Sequence, residues 1–322
     1  MYKNLFLKTI LLTAFATALT ACTMLQPEEP EKPPLRVAYT QWWGDYTLLV
    51  AQEKGMFEKY GVEIEPVYYD IFSKTYADLA AGQIDGAFIP VGDTLNINRS
   101  SRLKALGVAD DGGADAIVAR PEINSIEDLK GKKVGVLLGS QYELMITEML
   151  LSVNMNQSDV ILMGVDPEDT LDVLKNNQVQ AIYTWEPFLS QAISRGNKLL
   201  YPKEKIRLFP DLIVFRASIV EDRPEDIQAF LKAWFEAVDY RLENPQETQA
   251  IAAKYLGLSI EDVSIDDNLK ILSLEENKAM FDPQKDSSVY AITRRTSDYL
   301  ISIGSLAQQI DPLVLIDPGY LP

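Results

Sequence analysis

The chain has 322 residues, 47% hydrophobic and 24% charged, the balance of a globular protein with room for one large or two ordinary domains. Its 47 acidic side chains against 30 basic ones leave a net charge of -17, a surface that repels phosphate backbones and excludes nucleic acid as a partner. Histidine is absent, which removes Ser-His-Asp and Cys-His catalysis and histidine-ligated zinc, and nothing else in the sequence marks a metal or cofactor site.

Lys3 and Lys8 precede an apolar run from Thr9 to Leu19, too short to span a bilayer, so residues 1–21 read as a signal peptide. The run ends in Leu19-Thr20-Ala21-Cys22, where small residues precede the single cysteine as in a lipoprotein signal, and a lone cysteine has no internal disulfide partner. Cys22 is therefore expected to carry the lipid that anchors the mature chain. Residues 22–34 are rich in proline and charge and read as a flexible spacer. No second apolar run is long enough to cross a membrane.

From Leu35 short β-branched runs alternate with helical segments, the pattern of an α/β protein with largely parallel sheets. Strands are expected at Leu35–Tyr39, Val62–Tyr68, Gly86–Pro90, Lys104–Ala109 and Ala114–Ala119, with helices at Thr47–Tyr60, Ser73–Ala81 and Asp93–Arg99 between them. A second series follows: a short helix at Ser125–Asp128, strand Lys133–Leu138, a helix from Ser140 to about Val153, strand Val160–Val165, helix Pro167–Asn176, strand Ala181–Thr184 and helix Pro187–Arg195. Leu212–Arg216 reads as a further strand. Pro224 then opens a long helix whose Ile227, Phe230, Leu231, Trp234, Phe235 and Val238 repeat at helical spacing until Asn244-Pro245. Helices are expected at Gln246–Tyr255, Ser259–Leu272 and Ser287–Ile303.

Five stretches carry a family resemblance in their order and spacing: YTLLVAQEKGMFEKYGV from Tyr46, DLAAGQIDGAF from Asp78, SIEDLKGKKVG from Ser125, VQAIYTWEP from Val179, and Ala233-Trp234-Phe235 through Asn244-Pro245. Together they resemble the periplasmic substrate-binding proteins of nitrate, sulfonate, taurine and thiamine-precursor pyrimidine importers. The resemblance implies a type II periplasmic-binding fold, two α/β lobes with mixed sheets joined by a two-crossing hinge near Arg120 and Asp211. Lobe I would comprise residues 35–119 and 212–322, and lobe II residues 120–211. It also implies a monomeric, non-catalytic receptor for a small molecule, without a cofactor. Such a receptor is lipid-anchored at the outer face of the cytoplasmic membrane or in the periplasm and serves an ABC permease with its ATPase. Relatives that make thiamine pyrimidine consume an active-site histidine, which this chain lacks.

In open α/β sheets a ligand sits beyond the carboxyl ends of the strands, so the residues just after each strand are the candidates. The first turn holds Trp42, Trp43 and Tyr46. One indole is expected in the core and at least one in the cleft, where each well-placed aromatic contact is worth about 0.5–1.5 kcal/mol. Phe72, Ser73 and Lys74 follow the second strand and Asp93 and Thr94 the third, with Ser73 and Asp93 as helix caps, either alone or together with a ligand contact. Asp111 follows the fourth strand, either in the cleft or as a solvated turn acid. Ser140, Gln141 and Tyr142 open a helix onto the crevice from the second series, and Thr184, Trp185 and Glu186 end a strand there. In the related family the turn before this Glu-Pro faces ligand. Glu186 has a rival role in orienting the helix begun by Pro187.

Asp45, Asp93, Asp110, Asp111 and Glu186 outnumber Lys74 near these turns, which favours a neutral heteroaromatic, an amine or a cation over nitrate or a sulfonate. Two other outcomes stay open: an anion held by helix N-termini, and a sensor whose ligand-bound form docks on a signalling receptor. An enzyme would need two carboxylates at a fixed separation across the cleft.

Overall fold

The computed structural model describes residues 32–113, 115–201, 209–265 and 269–322. The leader, Cys22 and nearly all of the spacer lie outside the described residues. Residues 34–322 form one unit. The first sheet is built from β1 (Leu35–Tyr39), β2 (Ile64–Tyr68), β3 (Gly86–Pro90), β4 (Leu103–Asp110) and β10 (Asp211–Arg216), in the order β2-β1-β3-β10-β4. The first three strands run parallel, and β10 inserts antiparallel between β3 and β4. Buried Leu212 to Phe215 suit that central position, apolar on both faces.

The second sheet has the order β7-β6-β8-β5-β9, from β5 (Ala116–Ala119), β6 (Lys133–Val136), β7 (Ile161–Gly164), β8 (Ala181–Thr184) and β9 (Lys198–Tyr201). Both sheets are mixed, as the type II fold requires. The expected boundary at residue 119 needs correction. β5 pairs antiparallel with β8, Ala116 opposite Thr184 and Ala119 opposite Ala181, so Ala116–Ala119 belongs to the second sheet and Asp110 is the last residue of β4 in the first. Ala116–Ala119 is buried on both faces, a pattern compatible with either sheet.

Helices cover the sheets. In chain order the first are α1 (Tyr46–Glu53), α2 (Met56–Tyr60), α3 (Phe72–Ala81) and α4 (Val91–Ile97), followed by α5 (Tyr142–Leu151), α6 (Thr170–Lys175) and α7 (Phe188–Ser194). The last are α8 (Ala217–Asp222), α9 (Pro224–Glu243), α10 (Pro245–Leu256), α11 (Leu274–Met280), α12 (Val289–Ser302) and α13 (Pro312–Leu315). The helix expected over Thr47–Tyr60 is broken at Gly55, whose φ of 65° belongs to the left-handed region. α9 carries the core: Phe230 stacks on Phe57, and Trp234 stacks on Phe88 at 4.5 Å between ring centres.

In place of the helix expected over Ser259–Leu272, the described residues of that segment hold only a 3-10 turn at Ile260–Asp262. Its Ser, Asp and β-branched residues favour other conformations, and Leu272 N–H instead donates to Ala109 O while Asp111 N–H donates to Lys270 O. Residues 270–272 thereby pair with the end of β4. β9, α8, α11 and α13 went unread in the sequence.

Candidate functional site

The two sheets point their strand ends at one another, and a narrow hollow of about 20 Å³ lies between them. From the first sheet come Thr40, just after β1, then Trp42, Pro90 at the end of β3, and Asp211 at the start of β10. Phe72 enters at the first residue of α3. From the second come Asp115, Gln141, Tyr142 and Trp185, and the crossings add Gly112 and Phe209.

Aromatic rings make the walls. Phe72 and Trp185 meet edge to face across the gap at 5.4 Å, and Tyr142 packs on Tyr183 at 4.8 Å and on Trp185 at 5.3 Å. Direct hydrogen bonds also join the halves. Gln141 Oε1 accepts the Gly92 N–H at 2.7 Å, Glu168 Oε1 accepts the Phe72 N–H at 3.1 Å, and Asn96 donates to Gly139 O at 2.8 Å.

The adjacent tryptophans take opposite places. Trp42 reaches the hollow, its indole N–H donating to Asp110 Oδ2 at 3.2 Å. Trp43 turns into the core, edge-on to Tyr46 and beneath the guanidinium of Arg241, 4.7 Å from its ring centre. Neither Trp43 nor Tyr46 lines the hollow. Arg241, a buried residue of α9, donates to Trp43 O, Gly44 O and Thr47 Oγ1 and so fixes the turn that aims Trp42.

Other expected contacts move to supporting places. Ser73 and Lys74 do not line the hollow, and Lys74 pairs with Asp70 at 3.1 Å on the exposed face. Ser73 and Asp93 lie inside their helices and cap neither. The first N–H of α3 is taken by Glu168, so that helix end holds a carboxylate of the protein itself. Asp93 accepts from Tyr76 Oη at 2.6 Å, and Thr94 donates back to Pro90 O. Ser140 accepts from Tyr142 N–H, and Thr184 accepts from Thr170 Oγ1. Glu186 accepts from Ser190 N–H and Oγ, the orienting role. Asp111 faces a separate, open groove beside Lys270 and Glu276.

Carboxyl groups concentrate behind the walls. Burial pushes Asp45 up to about 8 and Asp93 up to about 7. Asp110 and Asp211 sit opposite each other in the β4–β10 ladder; both are raised, by burial first, and Asp211 also by the charges of Asp110, Asp45, Asp115 and Asp93. Arg241 is the buried cation near Asp45 and Asp110, and burial lowers it to about 10. No lysine or arginine is among the described residues that line the hollow. Nor does any group of three or more acidic or cysteine side chains among them fit a metal ion.

Asp115 and Asp211 were missed in the sequence because attention went to residues after strands. β5 and β10 run antiparallel to their neighbours, so the residues before them reach the same edge. An aspartate directly ahead of a buried strand is the signal that marks both.

Known proteins share this architecture. The structure of the periplasmic aliphatic sulphonate binding protein SsuA from Escherichia coli superposes with a TM-score of 0.71 at 19% identity, over 89% of this chain and 92% of that one. The periplasmic nitrate-binding protein NrtA from Synechocystis gives 0.73 at 17% identity, over 91% and 88%. In sequence, a Brucella abortus protein assigned by name alone as a binding protein is 27% identical over 289 residues, 87% of this chain and 88% of its own. The model of the NMT1-like family matches residues 28–257, well over half of the sequence. With the mixed sheets and facing strand ends described above, this chain belongs to the NMT1-like family.

Proposed function

We propose that the protein is the solute-binding lipoprotein of an ABC importer, a non-catalytic receptor that closes on a small nitrogen-containing molecule and hands it to a membrane permease. Its two halves are lobe I, residues 35–110 with 211–322, and lobe II between them. Relatives support the class. Proteins similar in sequence are named for nitrate or nitrite binding in Nostoc and taurine binding in Escherichia coli. One observation carries the ligand chemistry: the hollow is walled by Trp42, Phe72, Tyr142 and Trp185 and supplied with Asp115 and Asp211, with no lysine or arginine among the described residues that line it. Aromatic faces and carboxylates attract amines and cations and repel anions.

Contacts made by both halves favour the closed arrangement, and the solute adds to them. Lipid on Cys22 keeps the receptor beside its permease, and the spacer supplies reach. The relatives' names favour a sulfonate or nitrate instead, and the acid-lined wall stands against that reading.

Mass spectrometry of small molecules released from gently purified protein tests the assignment. A stoichiometric nitrogen-bearing solute, recovered unchanged after incubation, is the expected result; an anion or a converted product refutes it. Cys22→Ser should move the protein from the membrane to the soluble fraction.

A further inference from the structure

Five carboxyl groups surround the hollow, and four already have donors inside the protein. Asp45 accepts the N–H and Oγ1 of Thr40 at 2.7 and 2.9 Å. Asp93 accepts from Tyr76, and Asp115 from Tyr183 Oη. Asp110 accepts the Trp42 indole N–H at one oxygen and the Gly112 N–H at the other. Asp211 differs. It lines the hollow, is only 7% exposed, and its carboxyl receives no hydrogen bond from the described residues.

A buried carboxyl without a donor is costly, and proteins keep such groups where a ligand completes them. Arg241 cannot serve, because its guanidinium is committed to Trp43 O, Gly44 O and Thr47. The surroundings of Asp211 are ring faces and other acids, which fit positive charge with N–H donors and an apolar, preferably planar body.

Resting on the solute-binding reading above, we infer that Asp211 selects the charge of the solute. The site takes a small cation whose charged nitrogen seats on the Asp211 carboxylate while its ring lies among Trp42, Phe72, Tyr142 and Trp185.

The test is calorimetric titration of three ring probes of matched size: benzylammonium, benzyl alcohol and benzenesulfonate. Wild type should bind the cation at least about tenfold more tightly than the alcohol, and the sulfonate most weakly. Asp211→Asn should bring cation and alcohol to within about twofold, while Asp172→Asn, an exposed acid removed from α6, leaves the preference intact. Equal or better binding of the alcohol or sulfonate by wild type overturns the inference, as does a cation preference that survives Asp211→Asn. The wild-type ranking decides the matter even if that variant misfolds. A neutral or anionic solute released from the native protein sinks this inference alone; no released solute and no bound probe sink the receptor reading with it.

Discussion

Gln141 and Gly92 close the two halves on each other. The side-chain oxygen of Gln141, at the end of the second sheet, accepts the backbone N–H of Gly92 in α4 at 2.7 Å, and a Cβ added at Gly92 would lie 2.6 Å from the Gln141 Cβ. Real Cβ atoms do not approach that closely, so any side chain at residue 92 must push the halves apart. Gly92→Ala should therefore leave the fold intact, since alanine suits a helix better than glycine, yet hold the cleft open. Solute affinity should fall at least about tenfold because the closed form is less populated. Small-angle scattering should show a larger radius of gyration than wild type at saturating solute, and an unchanged radius would refute the point.

Arg241 holds the first turn from the far side of the core. Arg241→Leu removes three donated hydrogen bonds and the buried positive charge beside Asp45 and Asp110, and should cost about 3–5 kcal/mol in urea unfolding. Arg241→Lys should recover little, because a single ammonium does not reproduce the planar fork. Full recovery by lysine would show that charge alone matters.

Stability should decline with rising pH. Asp93 and Asp45 ionise near 7 and 8 in the folded chain against an ordinary aspartate value near 3.8, so the native state holds more protons than the unfolded one between those limits. Their contribution is complete below the unfolded value and is lost as pH rises through 7 and 8. The melting temperature should be at least about 5 °C lower at pH 9 than at pH 5, and Asp93→Asn should shrink that difference. A flat profile in the parent protein would contradict the burial of these acids.

Solute binding should be read out by two indoles only. Trp42 and Trp185 line the hollow, whereas Trp43 lies under Arg241 and Trp234 is stacked on Phe88 in the core. Trp42→Phe and Trp185→Phe should each reduce the solute-dependent change in fluorescence, and Trp234→Phe should leave it in place. Loss of the signal in the Trp234 variant alone would place the site elsewhere.

Local pattern was enough to establish the α/β class, the strands that end at the cleft, and Trp42, Phe72, Gln141, Tyr142 and Trp185 as cleft residues, because hydrophobic period and turn position are local properties. Strand direction and sheet membership are not. Ala116–Ala119 is equally apolar whichever sheet receives it, and Asp115 and Asp211 reach the hollow only because β5 and β10 run against their neighbours. Trp42 and Trp43, in the turn after β1, divide between hollow and core, and that turn is fixed by Arg241, 198 positions beyond Trp43 in the chain. Tertiary packing also consumed the donors and acceptors that looked free in sequence, Glu186 on Ser190 and the first N–H of α3 on Glu168, and placed Asp211 on the wall of the hollow.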